Sequence, residues 1–408
     1  MNPPAPLANN LRSQWMLRDD VTFLNHGSFG AVPRIVFEEQ ERWRRRLEAE
    51  PIELLGRRQS DLIDAAKTPL AEFLHMKPAD FGLVTNATEG VNAVLHSLHF
   101  RDGDELLTTT HVYNAVRKAM QHAASRSGAT YRELNLPTPL AGPDDITRAI
   151  TQNLSDRTRL VVIDHITSPT GLVFPVADIA RVCAARNIEL LIDGAHAPGM
   201  VELDVPATGA TYYAGNLHKW ACAPKGVAFI WVAPHRQKDI HPCVVSHRYG
   251  EGLAAEFGWQ GTRDASAWLT LPTALKFMND LGWNNVREHN HSLAIWAHAM
   301  LCERFAVAPL TPFDGSLLGS TATVRLPAPL SEMTETQANK LQQSLYTHDR
   351  IEVPLMPWQD QWHLRVSCQV YNTPQDYHRL SAAIITAAAS AHSPTAKSPA
   401  APAHPPSR

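Results

Sequence analysis

Apolar positions along this chain follow two signatures. One is a short unbroken apolar run, and the other is apolar spacing of three and four residues with charges between. Unbroken runs at 81–85, 105–110, 160–164, 189–193 and 227–232 predict strands buried on both faces. Helix-spaced segments at 36–50, 60–74, 91–98, 115–125 and 176–186 precede or separate them. β-branched and aromatic residues at 21–24 and 211–213 add two shorter strands. Strands alternating with helices predict an α/β fold with a mostly parallel sheet covered on both faces. Helices follow over 266–281 and 283–305, the second leading into another unit. That unit reads as α+β, with strands at 322–326, 351–353 and 362–366 and helices at 335–348 and 374–391. The expected division is an N-terminal arm (1–19), a large domain (20–284), a small C-terminal domain (285–392) and a tail (393–408). Residues 1–10 and the tail are rich in Pro, Ala and Ser, carry too little apolar area to offset ordering entropy, and are expected to be disordered.

Composition narrows the function. The 408 residues are 44% hydrophobic and 19% charged, as in a soluble globular protein of about two domains. A net charge of -3 gives no electrostatic basis for binding nucleic acid or an anionic membrane. No run reaches the ~18 apolar residues of a membrane span. Five scattered cysteines form no CxxC pair, so neither a metal site nor a disulfide framework is expected. The N-terminus has no signal-peptide pattern, and a reducing cytoplasm is the expected location.

Candidate chemistry gathers where apolar runs end. The stretch TYYAGNLHKWACAPKGVAFIWV (211–232) reads as strand, small polar break, Pro-Lys-Gly turn and second strand. Lys219 falls in the loop, half-buried, where burial would lower its pKa and make it a nucleophile. The alternative is a surface lysine whose stem packs on Trp220. The strand at 81–85 runs through Asn86-Ala87-Thr88 into a helix, an arrangement that leaves N–H groups for a phosphate; Thr88 could equally be a plain N-cap. Tyr113, Ser168, Asp193 and His196 also lie just past strand ends, where open α/β sheets hold ligands. Asp193 in such a crevice needs a cationic partner, or else caps a turn. His111, His165 and His196 are three of 20 histidines, most of them incidental. Asn25-His26-Gly27-Ser28-Phe29-Gly30 is either a tight surface turn or a loop whose His26 lines a pocket. Arg57 or Arg58 could bind an anion, though a surface role fits better. Arg365, inside an apolar strand, requires a protein carboxylate or a substrate carboxylate.

These pieces together resemble the class V group of fold-type I pyridoxal 5'-phosphate (PLP) enzymes, in its isopenicillin N epimerase-like branch. The resemblance is carried by FLNHGSFG (23–30), TNATEGVNAV (85–94), HITSPTGLVFPV (165–176), LLIDGAHA (190–197), GNLHKWACAPKG (215–226), GWQGTRD (258–264) and LRVSCQVYN (364–372). It implies a fold-type I transferase architecture: a seven-stranded, mostly parallel sheet sandwiched by helices, an N-terminal active-site segment (20–59), and a small C-terminal domain. It implies that Lys219 forms the Schiff base with PLP and that Asp193 pairs with the pyridine nitrogen. Ala87, Thr88, His218 and Asn216 would hold the phosphate, with Thr262 reaching in from a neighbouring subunit of a homodimer. His196 and Ser168 would sit near the phenolic oxygen, and Tyr113, in preference to His111, would stack on the ring. Arg365 would clamp the substrate carboxylate, and Asn25 and His26 would face the substrate. The implied reaction is epimerase- or racemase-type chemistry at Cα of an amino acid. C–S lyase and aminotransferase chemistry are alternatives, as is a relative that has lost catalysis. Residues 351–363 contain no cysteine, which argues against a persulfide-forming desulfurase, and Cys368 is expected to pack under Arg365.

Overall fold

The computed structural model describes residues 2–8 and 11–392. Seven strands form the central sheet: β1 (Phe81–Val84), β2 (Glu105–Thr109), β3 (Thr130–Leu134), β4 (Thr158–Asp164), β5 (Glu189–Asp193), β6 (Tyr212–Asn216) and β7 (Ala228–Val232). Their order is β1-β7-β6-β5-β4-β2-β3. β7 runs antiparallel to both neighbours, and every other pairing is parallel. Alternate residues serve two cores. Val161, Ile163, Leu190 and Ile192 face one helical layer, while Leu160, Val162 and Leu191 face the other. Each such side chain contributes about 1.5–3 kcal/mol by leaving water, which is why these strands lack polar alternation.

A second, three-stranded antiparallel sheet comprises β8 (Thr321–Arg325), β9 (Leu355–Trp358) and β10 (Gln361–Ser367), in the order β9-β10-β8. Helices Trp283–Phe305, Glu335–Thr347 and Pro374–His392 accompany it around a separate apolar cluster. The N-terminal segment belongs spatially with this unit. Thr22–Phe23 pairs in parallel with Ile351–Glu352, and Leu24 sits in the C-terminal cluster.

Several local expectations change. β3 and helix Pro143–Asn153 have no counterpart in the sequence reading; β3 is an edge strand whose Arg132 and Glu133 are only partly covered, so no apolar run marks it. The segment 266–281 forms two helices, Ser266–Leu269 and Leu271–Leu281, because Pro272 cannot continue a helical hydrogen-bond ladder. Ala214-Gly215-Asn216 is strand rather than a break. Gly215 is small because a Cβ would lie 2.6 Å from the Phe229 ring. Residues 25–30 contain one helical turn, His26–Phe29. Residues 2–8 form no helix or strand, although Leu7 packs on the cluster around Trp15. The 393–408 tail lies outside the described residues. Among the described residues no helix is long and apolar enough to cross a membrane.

Candidate active site

The carboxyl ends of β1, β4, β5 and β6 open onto a cavity of about 490 Å³. Lys219 enters it from the loop between β6 and β7 and is half-buried. Its Nζ lies 3.0 Å from His196 Nε2. Burial, aided by the Arg365 charge, pushes the amine down to about 7; Asp193 and Asp164 resist that shift. The tautomer of His196 agrees. The Trp220 indole N–H, which can only donate, faces His196 Nδ1 at 3.5 Å. A neutral ring then carries its proton on Nε2, pointing at Lys219, and Nζ must accept it as a free amine. Burial, reinforced by Lys219 and Arg365, keeps His196 neutral.

Asp193 and Asp164 end adjacent parallel strands in register, and both line the cavity. Burial raises both carboxyls, and for Asp164 the neighbouring Asp193 adds to the rise. The Ala195 N–H donates to Asp193 at 2.9 Å. Asp164 Oδ1 is buried with no partner. Asp164 therefore belongs to the site, although the sequence offered only its strand-end position as a signal.

Arg365 is 3% exposed on β10. It donates to the carbonyl and hydroxyl of Ser168 and, at 3.1 Å, to Ser28 Oγ. Its Nε is buried and unpartnered, and among the described residues it makes no ion pair. The protein-carboxylate alternative for this arginine is thus not realised. Burial pushes the guanidinium down to about 10. Ser28 in turn donates to Asn25 Oδ1 at 2.5 Å, and Asn25 Nδ2 donates to Glu352 at 2.9 Å.

At the other end of the cavity, helix Ala87–Ser97 presents its N-terminus. Its cap is Asn86, whose side chain accepts from Glu89 N–H at 2.9 Å, so Thr88 is not the cap. The Ala87 N–H donates to Asn216 Oδ1 at 2.8 Å. Ala87 and Asn216 therefore satisfy each other, and Thr88 is left as the free donor beside them. His218 packs against the Val227 carbonyl through Nδ1 at 3.2 Å and lines the same end; burial lowers it to about 4. Lys225 also lines the cavity and donates to the Gly30 carbonyl at 3.0 Å.

Other sequence candidates separate. Tyr113 lines the cavity and is 43% exposed, whereas His111 is buried against Thr170, Phe174 and Trp358, away from it. His165 is buried against the Tyr213 hydroxyl. His26 does not face the cavity. Its Nδ1 meets the Tyr371 hydroxyl at 2.8 Å and its Nε2 the Lys219 carbonyl at 3.0 Å, so it braces the lysine loop from behind. Ser28 and Phe29 are the residues of that segment that reach the cavity. Thr262 is exposed and outside this cavity. Arg57 pairs with Glu53 at the surface and Arg58 is exposed. Cys368 is buried in the C-terminal cluster. Among the described residues no group of His, Cys, Asp or Glu side chains is placed to hold a metal ion.

This arrangement fits PLP on the observed donor set. A near-neutral amine can receive an aldehyde, and two buried carboxyls need a cation such as a pyridinium. A helix start with free donors suits a phosphate, and an arginine without an anion awaits a carboxylate. Comparison with known proteins agrees. The model of the family Aminotransferase class-V matches residues 32–380. Isopenicillin N epimerase of Amycolatopsis lactamdurans is 35% identical, covering 92% of this chain and 97% of its own. The enzyme of the same name from Streptomyces clavuligerus is 34% identical, covering 91% and 96%. A probable chloroplastic L-cysteine desulfhydrase of Arabidopsis thaliana is 30% identical, covering 92% and 85%. Among solved structures, the cystine C–S lyase C-DES in complex with cysteine persulfide superposes with a TM-score of 0.77 at 23% identity, covering 90% and 97%, a likeness of fold. The chain belongs to the class V aminotransferase family and is a PLP-dependent enzyme.

Proposed function

We propose that the protein inverts or exchanges the proton at Cα of an L-amino acid, the epimerase- or racemase-type reaction. The observation that carries this reading is the buried Arg365, without a carboxylate partner and bonded to Ser168 and Ser28, two residues that line the same cavity as a lysine whose pKa burial lowers to about 7. When bound, PLP supplies an electron sink for Cα once its ring nitrogen is protonated. Asp193 stabilises that proton from the end of β5. Thr88, with His218, seats the phosphate at the helix N-terminus. Lys219 would hold the cofactor through Nζ, and its near-neutral amine is the group placed to take the Cα proton of a bound amino acid. Arg365 holds the α-carboxylate beside Ser168 and Ser28. His196 orients the Lys219 amine through Nε2. Inversion needs a second proton donor on the opposite face, and Tyr113, which lines the cavity while His111 does not, is assigned that task. The working assembly is a homodimer with Thr262 crossing to the partner's phosphate site, located in the cytoplasm, where the five unpaired cysteines stay reduced.

β-Elimination is the second reading, favoured by the L-cysteine desulfhydrase relatives. It too begins with removal of the Cα proton. One experiment separates the two. Holoenzyme is incubated with single L-amino acids, cysteine included, in D₂O, and Cα deuterium, configuration, sulfide and pyruvate are measured together. Deuterium with inverted configuration supports the proposal. Sulfide and pyruvate from cysteine without inversion of any substrate would replace it with the lyase reading.

A further inference from the structure

Asp164 is a buried acid to which the reaction at Cα gives no task. It ends β4 as the register partner of Asp193 at the end of β5, and both residues are 3% exposed and line the cofactor cavity. Asp193 Oδ1 accepts the Ala195 N–H at 2.9 Å. Asp164 Oδ2 accepts the Ser168 N–H at a longer 3.3 Å, and its Oδ1 is buried with no hydrogen-bond partner among the described residues. Two carboxylates side by side in a dry site cannot both ionise without a large penalty, and an ionised oxygen that lacks a donor is the costlier one to bury. We propose that Asp164 is kept as a neutral carboxylic acid while Asp193 alone carries the negative charge, and that the Asp164 O–H donates to the ring-borne oxygen of the bound cofactor. This rests on PLP occupying the cavity and is independent of which reaction follows at Cα.

The surroundings of Asp164 leave room for one anion. Burial, then the charge of Asp193 on β5, raise its carboxyl well above the ordinary range; the Ser168 and Tyr113 N–H groups, and Lys219 from the loop after β6, act the other way. That lysine is itself lowered to about 7, so near neutral pH it supplies only part of one positive charge for two acids. A carboxylate only accepts hydrogen bonds, whereas a protonated acid donates through one oxygen. Oδ2 already accepts, which puts the proton on Oδ1, the oxygen left unpaired. The neutral state also serves the lysine. Negative charge on either acid opposes the fall of the Lys219 pKa, so removing one of the two charges keeps Nζ a free amine.

The test uses infrared spectra of the protein saturated with PLP, at neutral pH, without substrate. The carbonyl stretch of a protonated carboxylic acid is expected in the parent and in Asp193→Asn, and is expected to vanish in Asp164→Asn. PLP affinity is measured by absorbance on reconstituting the cofactor-free protein. It should stay within about threefold of the parent in Asp164→Asn, whose amide can donate from the same place, and fall at least about tenfold in Asp164→Leu, which cannot donate. Denaturant midpoints of the cofactor-free protein give a readout that survives a folding defect in the leucine variant. The folded parent keeps a proton that the unfolded chain sheds above 3.8, so the stability of Asp164→Asn relative to the parent should grow as pH rises from about 4. Absence of the acid band, a band that survives Asp164→Asn but not Asp193→Asn, or an asparagine variant that loses as much PLP affinity as the leucine one, would overturn the proposal. A parent that takes up no PLP would instead remove the cofactor reading, whichever acid holds the proton.

Discussion

Replacing Arg365 by leucine should weaken amino-acid binding sharply while leaving the fold as stable as before, or more so. Arg365 is 3% exposed and, among the described residues, its guanidinium is bonded to Ser168 and Ser28. Burial moves its pKa from 12.5 to about 10, which corresponds to roughly 3 kcal/mol of desolvation opposing the folded state. Leucine is shorter but apolar, so the loss of two serine contacts is offset by the removal of a buried charge. In the complex the balance reverses, because the arginine then gains a carboxylate in a dry site. Truncating one member of such a pair costs about 2–5 kcal/mol, or about 30- to several-thousand-fold in affinity. The assay is a ligand titration of the holoenzyme with an L-amino acid and with its decarboxylated amine, alongside a thermal melt. The amino acid should lose at least about 30-fold and the amine little, with the melting temperature unchanged or raised. The Arg365 charge also depresses the Lys219 pKa, so the variant's lysine should titrate at higher pH. Equal losses for both ligands, or a fall in melting temperature with no ligand effect, would refute the idea that this cation is reserved for a substrate carboxylate.

Further outcomes follow from other parts of the site. Asp193→Ala should lower kcat by several orders of magnitude with a much smaller change in KM, since the carboxylate acts on charge that develops during the reaction; steady-state kinetics decide this. For the cofactor-free protein, the depressed Lys219 pKa sets a sign. The unfolded chain holds a proton on this lysine that the folded chain sheds above about pH 7, so its contribution to stability should improve from there toward its unfolded value of 10.5. Comparing denaturant midpoints of the protein and Lys219→Met across that window isolates the effect. Gly30→Ala should abolish cofactor retention or soluble expression. At φ 69° the new Cβ would lie 1.9 Å from the His218 carbonyl oxygen, and neither backbone can yield without displacing Lys219.

The sheet was legible because its central strands are buried on both faces, so apolar runs such as 160–164 and 189–193 stand out and the end of the second locates Asp193. β3 escaped because an edge strand needs only one covered face, and TYREL carries charge where a central strand would carry valine. Residue identity alone misplaced His26. A histidine in the polar run Asn25-His26-Gly27-Ser28 reads as part of a surface turn or as a pocket wall, and only the tertiary contacts with Tyr371 and the Lys219 carbonyl turn it inward. Asp164 was overlooked as an active-site group because a single acid at a strand end is ambiguous until its neighbour in the sheet is known to be another acid. The hydrogen bond from the Ala87 N–H to Asn216 Oδ1 spans residues too distant in sequence for any local pattern to show.

The pairing of Thr22–Phe23 with Ile351–Glu352 joins two segments far apart in the sequence. Gly27 N–H is fastened to Ser367 and His26 to Tyr371 and the Lys219 carbonyl, so the support behind the reactive lysine is drawn from both segments. A nascent chain from which residues 351–371 have not yet emerged has the cofactor-binding sheet but not this support, and domains fold as they emerge. Chemistry at Lys219 must therefore wait for residues 351–371, and removal of residues 22–27 or of 351–371 should silence the enzyme while the central sheet persists.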